Sequence, residues 1–258
     1  MRIPPIAIIG TGNLAIHLSK ALEQGGLSVV SVTGRNVSKA QAVASQLYTA
    51  EVHKGLDFST SEARLFFLCV ADSAIEELAS QLMLPKHALL VHCAGAVPLS
   101  IFEGLESEYG VFYPAQTFSA KRKVTFQEVP VCLEASSENA ERLLEQVVEK
   151  IGAAPFFLNS EQRLTLHLSA VFACNFTNHF FAIAQELLQE QGLPFELLDT
   201  LIRETVAKAL ELGPLQSQTG PAIRRDYATI EKHETLLKEH PEWLDLYQAI
   251  SRRILKSH

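Results

Sequence analysis

The residues with the clearest chemical use are Gly10, Thr11, Gly12, Asn13 and Leu14, in the run Pro5-Ile6-Ala7-Ile8-Ile9-Gly10-Thr11-Gly12-Asn13-Leu14-Ala15. An apolar run ends in a glycine pair and passes at once into a helical pattern, which gives strand, tight turn, helix. Gly10 permits the sharp turn. Gly12 lets a pyrophosphate approach a backbone that carries no Cβ. Ala15 takes the third small position, where helix packs on strand. The N-terminus of that helix then offers free N–H groups and a positive dipole end to the phosphates. A glycine turn without a ligand is the plain alternative, and the position between an apolar strand and a helix argues against it.

The second set of residues follows the next apolar run, Leu27 to Val32. An NAD site places an Asp or Glu here on the ribose 2′-hydroxyl. This chain instead has Thr33-Gly34-Arg35-Asn36-Val37-Ser38-Lys39. No carboxylate is present, and the Arg35 guanidinium is in place to grip a 2′-phosphate. Gly34, Asn36 and Ser38 surround it, and Lys39 adds a donor. The expected cofactor is therefore NADP, with a solvated polar loop as the alternative. Two further apolar runs end in Val70-Ala71-Asp72 and in His92-Cys93-Ala94-Gly95. Ligands of open α/β sheets lie beyond the carboxyl ends of the strands. That rule puts Val70, Ala71, Asp72, His92, Cys93 and Gly95 near the cofactor. Two of them have a second reading: Asp72 as a helix cap, and His92 as a core histidine.

The third set lies where the pattern turns to helices only. Ser160 to Gln191 reads as one long helix, apolar nearly all round, with Leu164, Leu168, Phe172 and Phe180 among its members. Such a helix is expected to be buried, in a domain core or a subunit interface. At about 100° per residue, His167 and Asn178 differ by roughly 20° and Asn175 by about 80°, so they form a polar strip. Buried polar groups need partners, and either a substrate or a neighbouring helix supplies them. His167 is read as a general acid, because an imidazole gives and takes a proton near neutral pH. Asn175, and Gln116 in the stretch Gly110 to Phe118, which reads as a short strand leading into a polar loop, are read as groups that orient the substrate. Further on, Thr219 reads as an N-cap and Pro221 as an early helical residue. Arg224 then either holds a substrate carboxylate or pairs with Asp226.

Elements must position these groups. Strands and helices alternate as far as Leu158, which indicates a doubly wound, mostly parallel sheet. The expected fold is α/β: a Rossmann-type dinucleotide-binding domain over residues 1–159, then an all-α domain over 160–258. The chain has 258 residues and is 47% hydrophobic, enough for a large core. Its formal net charge is −7 and it has no basic block, which disfavours nucleic-acid binding. Cys69, Cys93, Cys132 and Cys174 form no C-x-x-C pair. Neither a disulfide framework nor a metal site is expected, and a reducing, cytoplasmic setting is. The first residues already read as strand, so no signal peptide is expected. No apolar run is long enough to span a bilayer, so no membrane partner is expected.

Five stretches carry a family resemblance: G-T-G-N-L-A at the start, G-R-N after the second strand, F-Y-P-A-Q-T-F at 112–118, H-L-S-A-V-F-A-C-N-F at 167–176 and T-G-P-A-I-R-R-D at 219–226. Together they resemble a group of bacterial proteins labelled NADP oxidoreductases, which join a Rossmann-like domain to a helical C-terminal domain of unknown function. More distantly the layout is similar to pyrroline-5-carboxylate reductase, to the deazaflavin-dependent NADP oxidoreductases, and to the 6-phosphogluconate and β-hydroxyacid dehydrogenases. The resemblance implies a cleft between domains for nicotinamide and a small-molecule substrate, and a homodimer through the helical domain. One departure matters. The β-hydroxyacid dehydrogenases carry a lysine on the first long helix of the second domain, and Ser160 to Gln191 contains none. Two functions are thus expected: an NADP(H)-dependent oxidoreductase acting on a small carbonyl or imine, or a non-catalytic NADP(H)-binding sensor or scaffold.

Overall fold

Eight short runs rich in Val, Ile, Leu and Phe form one sheet in the computed structural model, which describes residues 3–119 and 122–257. They are β1 (Ile6–Ile9), β2 (Val29–Thr33), β3 (Glu51–Val52), β4 (Leu65–Leu68), β5 (Leu89–His92), β6 (Glu108–Pro114), β7 (Pro130–Ala135) and β8 (Ala154–Phe157). Their order across the sheet is β3-β2-β1-β4-β5-β6-β7-β8. All neighbours are parallel except β6 and β7, which run antiparallel. Among the described residues the β6–β7 link contains no helix, and an antiparallel return needs no crossover element.

Period-two alternation sorts the side chains to two sides of the sheet. Leu65 and Phe67 of β4 enter one core, packed with Leu18 and Leu22 of α1 (Asn13–Gln24), Val43 of α2 (Val37–Ala44), and Leu144 and Val148 of α4 (Glu138–Lys150). Phe66 and Leu68 enter the other, with Phe58, Phe102 and Ile75 of α3 (Ile75–Gln81). Strand β1 connects to β2 on one side while β4 flanks it on the other, so chain order reverses between β1 and β4. A crevice at the carboxyl ends of the strands is the geometric consequence. The doubly wound, mostly parallel sheet is the fold expected from the sequence.

The chain divides into two compact units, one up to Phe172 and one from Ala173. Helix α5 (Ser160–Ala170) closes the first unit. Its start is fixed by a capping box, in which the Asn159 side chain accepts from the Gln162 N–H and the Gln162 side chain accepts from the Asn159 N–H. A π-helical segment, Val171–Phe176, follows. The second unit holds α6 (Thr177–Glu190), α7 (Asp199–Leu212), α8 (Tyr227–Leu236) and α9 (Pro241–Ser257).

Three sequence expectations change here. The stretch from 160 to 191 is not one uniform α-helix, and a step of 100° does not run through its π segment, so the polar strip loses its regular phase. Its apolar side chains are not buried: Leu168 is 55% and Phe180 40% exposed. The helix expected from Thr219 starts only at Tyr227. Gly220 at φ +110° and Arg225 at φ +54° take the backbone out of the helical region. Asp226 is the true cap, accepting from the Thr229 N–H at 3.1 Å. Those hydrogen bonds to Thr229 hold the Asp226 carboxyl below its ordinary pKa. Among the described residues Asp226 forms no ion pair with Arg224, which is exposed. No helix among those residues is long and apolar enough to cross a membrane.

Candidate functional site

The turn after β1 is built for close approach. Gly10 has φ +132°, and a Cβ there would lie 2.0 Å from the backbone oxygen of Cys69, so no other residue fits without a shift. Gly12 is different. Its φ is −78°, and a Cβ at this position meets nothing within 4 Å. Open space thus lies over Gly12. It is the N-cap of α1, whose first turn has no side-chain cap and no acidic residue. The N–H groups of Asn13, Leu14 and Ala15 make no hydrogen bond among the described residues, and the first helical bond is Ile16 N–H to Gly12 O at 3.1 Å. An uncapped helix N-terminus beside a Cβ-free turn fits a dinucleotide pyrophosphate. The Asn13 side chain is used differently: Nδ2 donates to Phe118 O at 3.1 Å. His17 Nε2 lies 3.0 Å from Ser119 O, so the loop after β6 is tied against α1.

At the end of β2, a Cβ on Gly34 would lie 2.8 Å from Thr11 Cγ2, so this glycine lets the two turns close on each other. Asn36 caps α2, its Oδ1 accepting from Lys39 N–H at 3.0 Å. Arg35 and Ser38 are exposed, and Arg35 has no ion pair among the described residues. A free guanidinium with no neighbouring carboxylate fits a 2′-phosphate.

The next two strand ends contribute unequally. Val70 is half-buried, and Ala71 and Asp72 are exposed; Asp72 opens a 3-10 turn without capping it. Cys93 is buried, its Sγ 3.9 Å from that of Cys69, and burial pushes its thiol pKa up, so it is an uncharged apolar group. Cys132 is buried too, whereas Cys174 is exposed. His92 is wholly buried, with Nδ1 accepting from Ala94 N–H at 3.2 Å. Burial, helped by the Arg163 guanidinium, pushes its pKa down to about 3. It is the core histidine of the two readings.

Gly95 is where the strand edge meets α5. A Cβ there would lie 2.7 Å from His167 Nδ1 and 2.9 Å from Tyr113 Cζ. The absent side chain leaves room for two rings, and Tyr113 Oη lies 3.1 Å from His167 Nδ1. Gln116, by contrast, is exposed and folds back on its own loop, Oε1 accepting from Thr117 N–H at 2.8 Å. Asn175 is exposed in the π segment and belongs to the second unit. The structure therefore brings His167 to Gly95, whereas Gln116 turns its side chain to its own loop.

Two residues of the site went unread in the sequence. Tyr113 is one. Arg163, 1% exposed, is the other. It pairs with the Glu134 carboxylate and donates from Nη2 to Val97 O at 2.6 Å and Ser160 Oγ at 3.2 Å. Ser160 donates to the same carboxylate from Oγ at 2.8 Å and from N at 3.1 Å. This network clamps the first turn of α5 to β7 and to the loop after β5, one helical turn before His167. A buried arginine opposite a glutamate 29 residues away leaves no local trace in a sequence.

Comparison with known proteins agrees with this geometry. Residues 5–95 match the family described as NADP oxidoreductase, coenzyme F420-dependent, and residues 129–254 match a domain of unknown function, DUF2520. The crystal structure of the Bacteroides fragilis protein named "putative NADP oxidoreductase BF3122" is 40% identical, covers 98% of both chains and has a TM-score of 0.89. A reductive aminase from Aspergillus terreus, solved with NADPH and ethyl levulinate, shares the fold at 16% identity, with a TM-score of 0.75 and coverage of 99% of this chain and 94% of its own. A 1-pyrroline-5-carboxylate reductase from Streptococcus pyogenes does so at 16% identity and a TM-score of 0.64, covering 98% of both chains. No curated protein matches the chain. With its bare α1 terminus, its unpaired Arg35 and near-complete overlap with a 40% identical relative, the chain belongs to the NADP oxidoreductase family that joins an F420-dependent-type oxidoreductase domain to DUF2520, and its cofactor is NADP.

Proposed function

We propose that this protein moves a hydride between NADP(H) and a small carbonyl or imine compound, with His167 as the proton donor. The observation that carries the reading is the place of His167. Its imidazole stands in the space left by Gly95, at the carboxyl end of β5. The α1 terminus that fits a pyrophosphate lies at the same edge of the sheet, after β1. Bound NADPH supplies the hydride. The chain's own residues do the rest. Gly10, Thr11, Gly12, Asn13 and Leu14 hold the pyrophosphate through backbone N–H groups and the helix dipole. Gly34, Arg35, Asn36 and Ser38 hold the 2′-phosphate end. Val70, Ala71, Asp72, Cys93 and Gly95 border the nicotinamide half. As carbon gains hydride, the oxygen or nitrogen gains negative charge, and a proton from His167 neutralises it. Asn175 and Gln116 orient the substrate. The proposed division of labour gives the cofactor to residues 1–159, and the substrate and a homodimer contact to 160–258.

The test has two steps. Thermal shift with NADPH and NADH, on wild type and Arg35→Ala, is expected to show stabilisation by NADPH, less by NADH, and no preference in the variant. A screen of carbonyl and imine compounds then follows NADPH oxidation. His167→Asn is expected to lose turnover by about 10²-fold or more while keeping the NADPH shift. Full turnover by His167→Asn would falsify the assignment, and a screen with no turnover would leave the sensor reading standing.

A further inference from the structure

Resting on the reading of His167 as proton donor, one more residue gains a role. We infer that Tyr113 is a positioning residue: its hydroxyl donates to His167 Nδ1 and so fixes the imidazole N–H on Nε2, the nitrogen left to face a substrate. Tyr113 is the next-to-last residue of β6 and is half-buried. Its hydroxyl has one hydrogen-bond partner among the described residues, His167 Nδ1 at 3.1 Å. A half-buried O–H needs an acceptor, and Nδ1 supplies the lone pair. Burial, with Cys132 and Asp72 adding to it, raises the Tyr113 pKa, so the phenol keeps its proton.

The surroundings hold both rings to this arrangement. Their planes meet at 75°, with centroids 5.9 Å apart. Gly95 backs both of them, and the Arg163–Glu134 clamp fixes the helix that carries His167. Nε2 of His167 has no hydrogen bond among the described residues. A hydroxyl can also accept, so the same contact serves an imidazolium, whose Nδ1–H then donates to Tyr113 Oη. In either state Nε2 bears a proton and can donate to a carbonyl oxygen or an imine nitrogen. Without Tyr113, the neutral ring divides between two tautomers, and the Nδ1–H form presents a lone pair where a donor is needed.

The experiment is nitrogen-resolved NMR on the full chain labelled with ¹⁵N-histidine, with His167→Gln identifying the resonances. At a pH where His167 is neutral, wild type is expected to show a bare Nδ1 and a protonated Nε2. Tyr113→Phe is expected to change the tautomer ratio toward Nδ1–H by about tenfold. A protonated Nδ1 in neutral wild type overturns the inference, even if the variant does not fold. So does an unchanged ratio in a folded Tyr113→Phe. Turnover by His167→Asn with the tautomer as stated sinks the proton-donor reading and leaves the Tyr113 contact intact.

Discussion

The two units of this chain use apolar residues in opposite ways. In the first, the strands send side chains into two cores whose members are almost wholly hidden. In the second, Ala222 and Leu237 are the only buried apolar residues among those described, while Leu201 is 63% and Leu210 84% exposed. Helix propensity alone rarely holds such helices, since most helical stability comes from packing an apolar face. The contrast teaches that the sheet unit is stabilised from inside, whereas the helical unit leaves much of its apolar surface exposed.

The largest effects are expected where the sheet unit has no slack. Gly10→Ala combines a strained backbone with an overlap on Cys69 O and is expected to cost about 4 kcal/mol in urea unfolding. Gly12→Ala is the control. Its Cβ meets nothing, so stability should stay within about 0.5 kcal/mol while NADPH affinity, read by titration, falls. Wild-type stability in Gly10→Ala would erase the contrast between a rigid and an uncovered unit. Next comes Arg163→Met. Removing one partner strands the Glu134 carboxylate against a buried surface, and such losses cost about 3 kcal/mol or more. A smaller loss would mean that the start of α5 is not clamped, and the placement of His167 would lose its support.

His92 gives a third effect, of about 2 kcal/mol. Its ordinary pKa is 6.5, and in the folded chain burial and Arg163 push it to about 3. Between those values the unfolded chain takes up a proton that the folded chain refuses. Stability therefore falls as pH drops from about 6.5 toward 3, by up to about 1.4 kcal/mol per pH unit. Urea unfolding at pH 7.5 and 5.0 should show a loss of about 2 kcal/mol from this group in wild type that His92→Asn lacks. Equal pH slopes in the two proteins would mean that water reaches His92 and that the core is less closed than it looks.

What the sequence revealed divides along the same line. The fingerprint at Gly10 and Gly12 and the parallel sheet were legible because strand, turn and helix residues are neighbours in the chain. The bare Arg35 was legible for the same reason. The Asn36 cap was open to reading through its spacing to Lys39, but a phosphate donor competed for the same side chain. Strand β3 has only two residues and carries no period. Tyr113 sits in a motif that reads as strand, and its partner lies 54 residues on, so only the fold brings the pair together. The helical unit misled most. Its greasy pattern reads as a buried helix, whereas its apolar side chains are exposed, and the π segment between α5 and α6 breaks the angular rule used to align its polar residues.

The smallest effect on the folding of a single chain, and the sharpest on its assembly, is expected in α7. Leu201 and Leu210 touch little within the chain, so Leu201→Lys and Leu210→Lys should change its intrinsic unfolding free energy by no more than about 0.5 kcal/mol. If a second copy covers this face, each lysine puts a charge into an apolar contact. Light scattering should then find wild type at twice the 28.5 kDa chain mass and the double variant at the single mass. The melting temperature of wild type should rise with protein concentration, and that of the variant should not, because only an assembled state gains from mass action. A wild-type protein that stays at the single mass, with a melting temperature independent of concentration, would remove the homodimer from the proposal. The exposed faces of α7 would then be a property of the folded monomer. The comparison between a self-sufficient sheet unit and a helical unit completed by its own copy would fail at the second half.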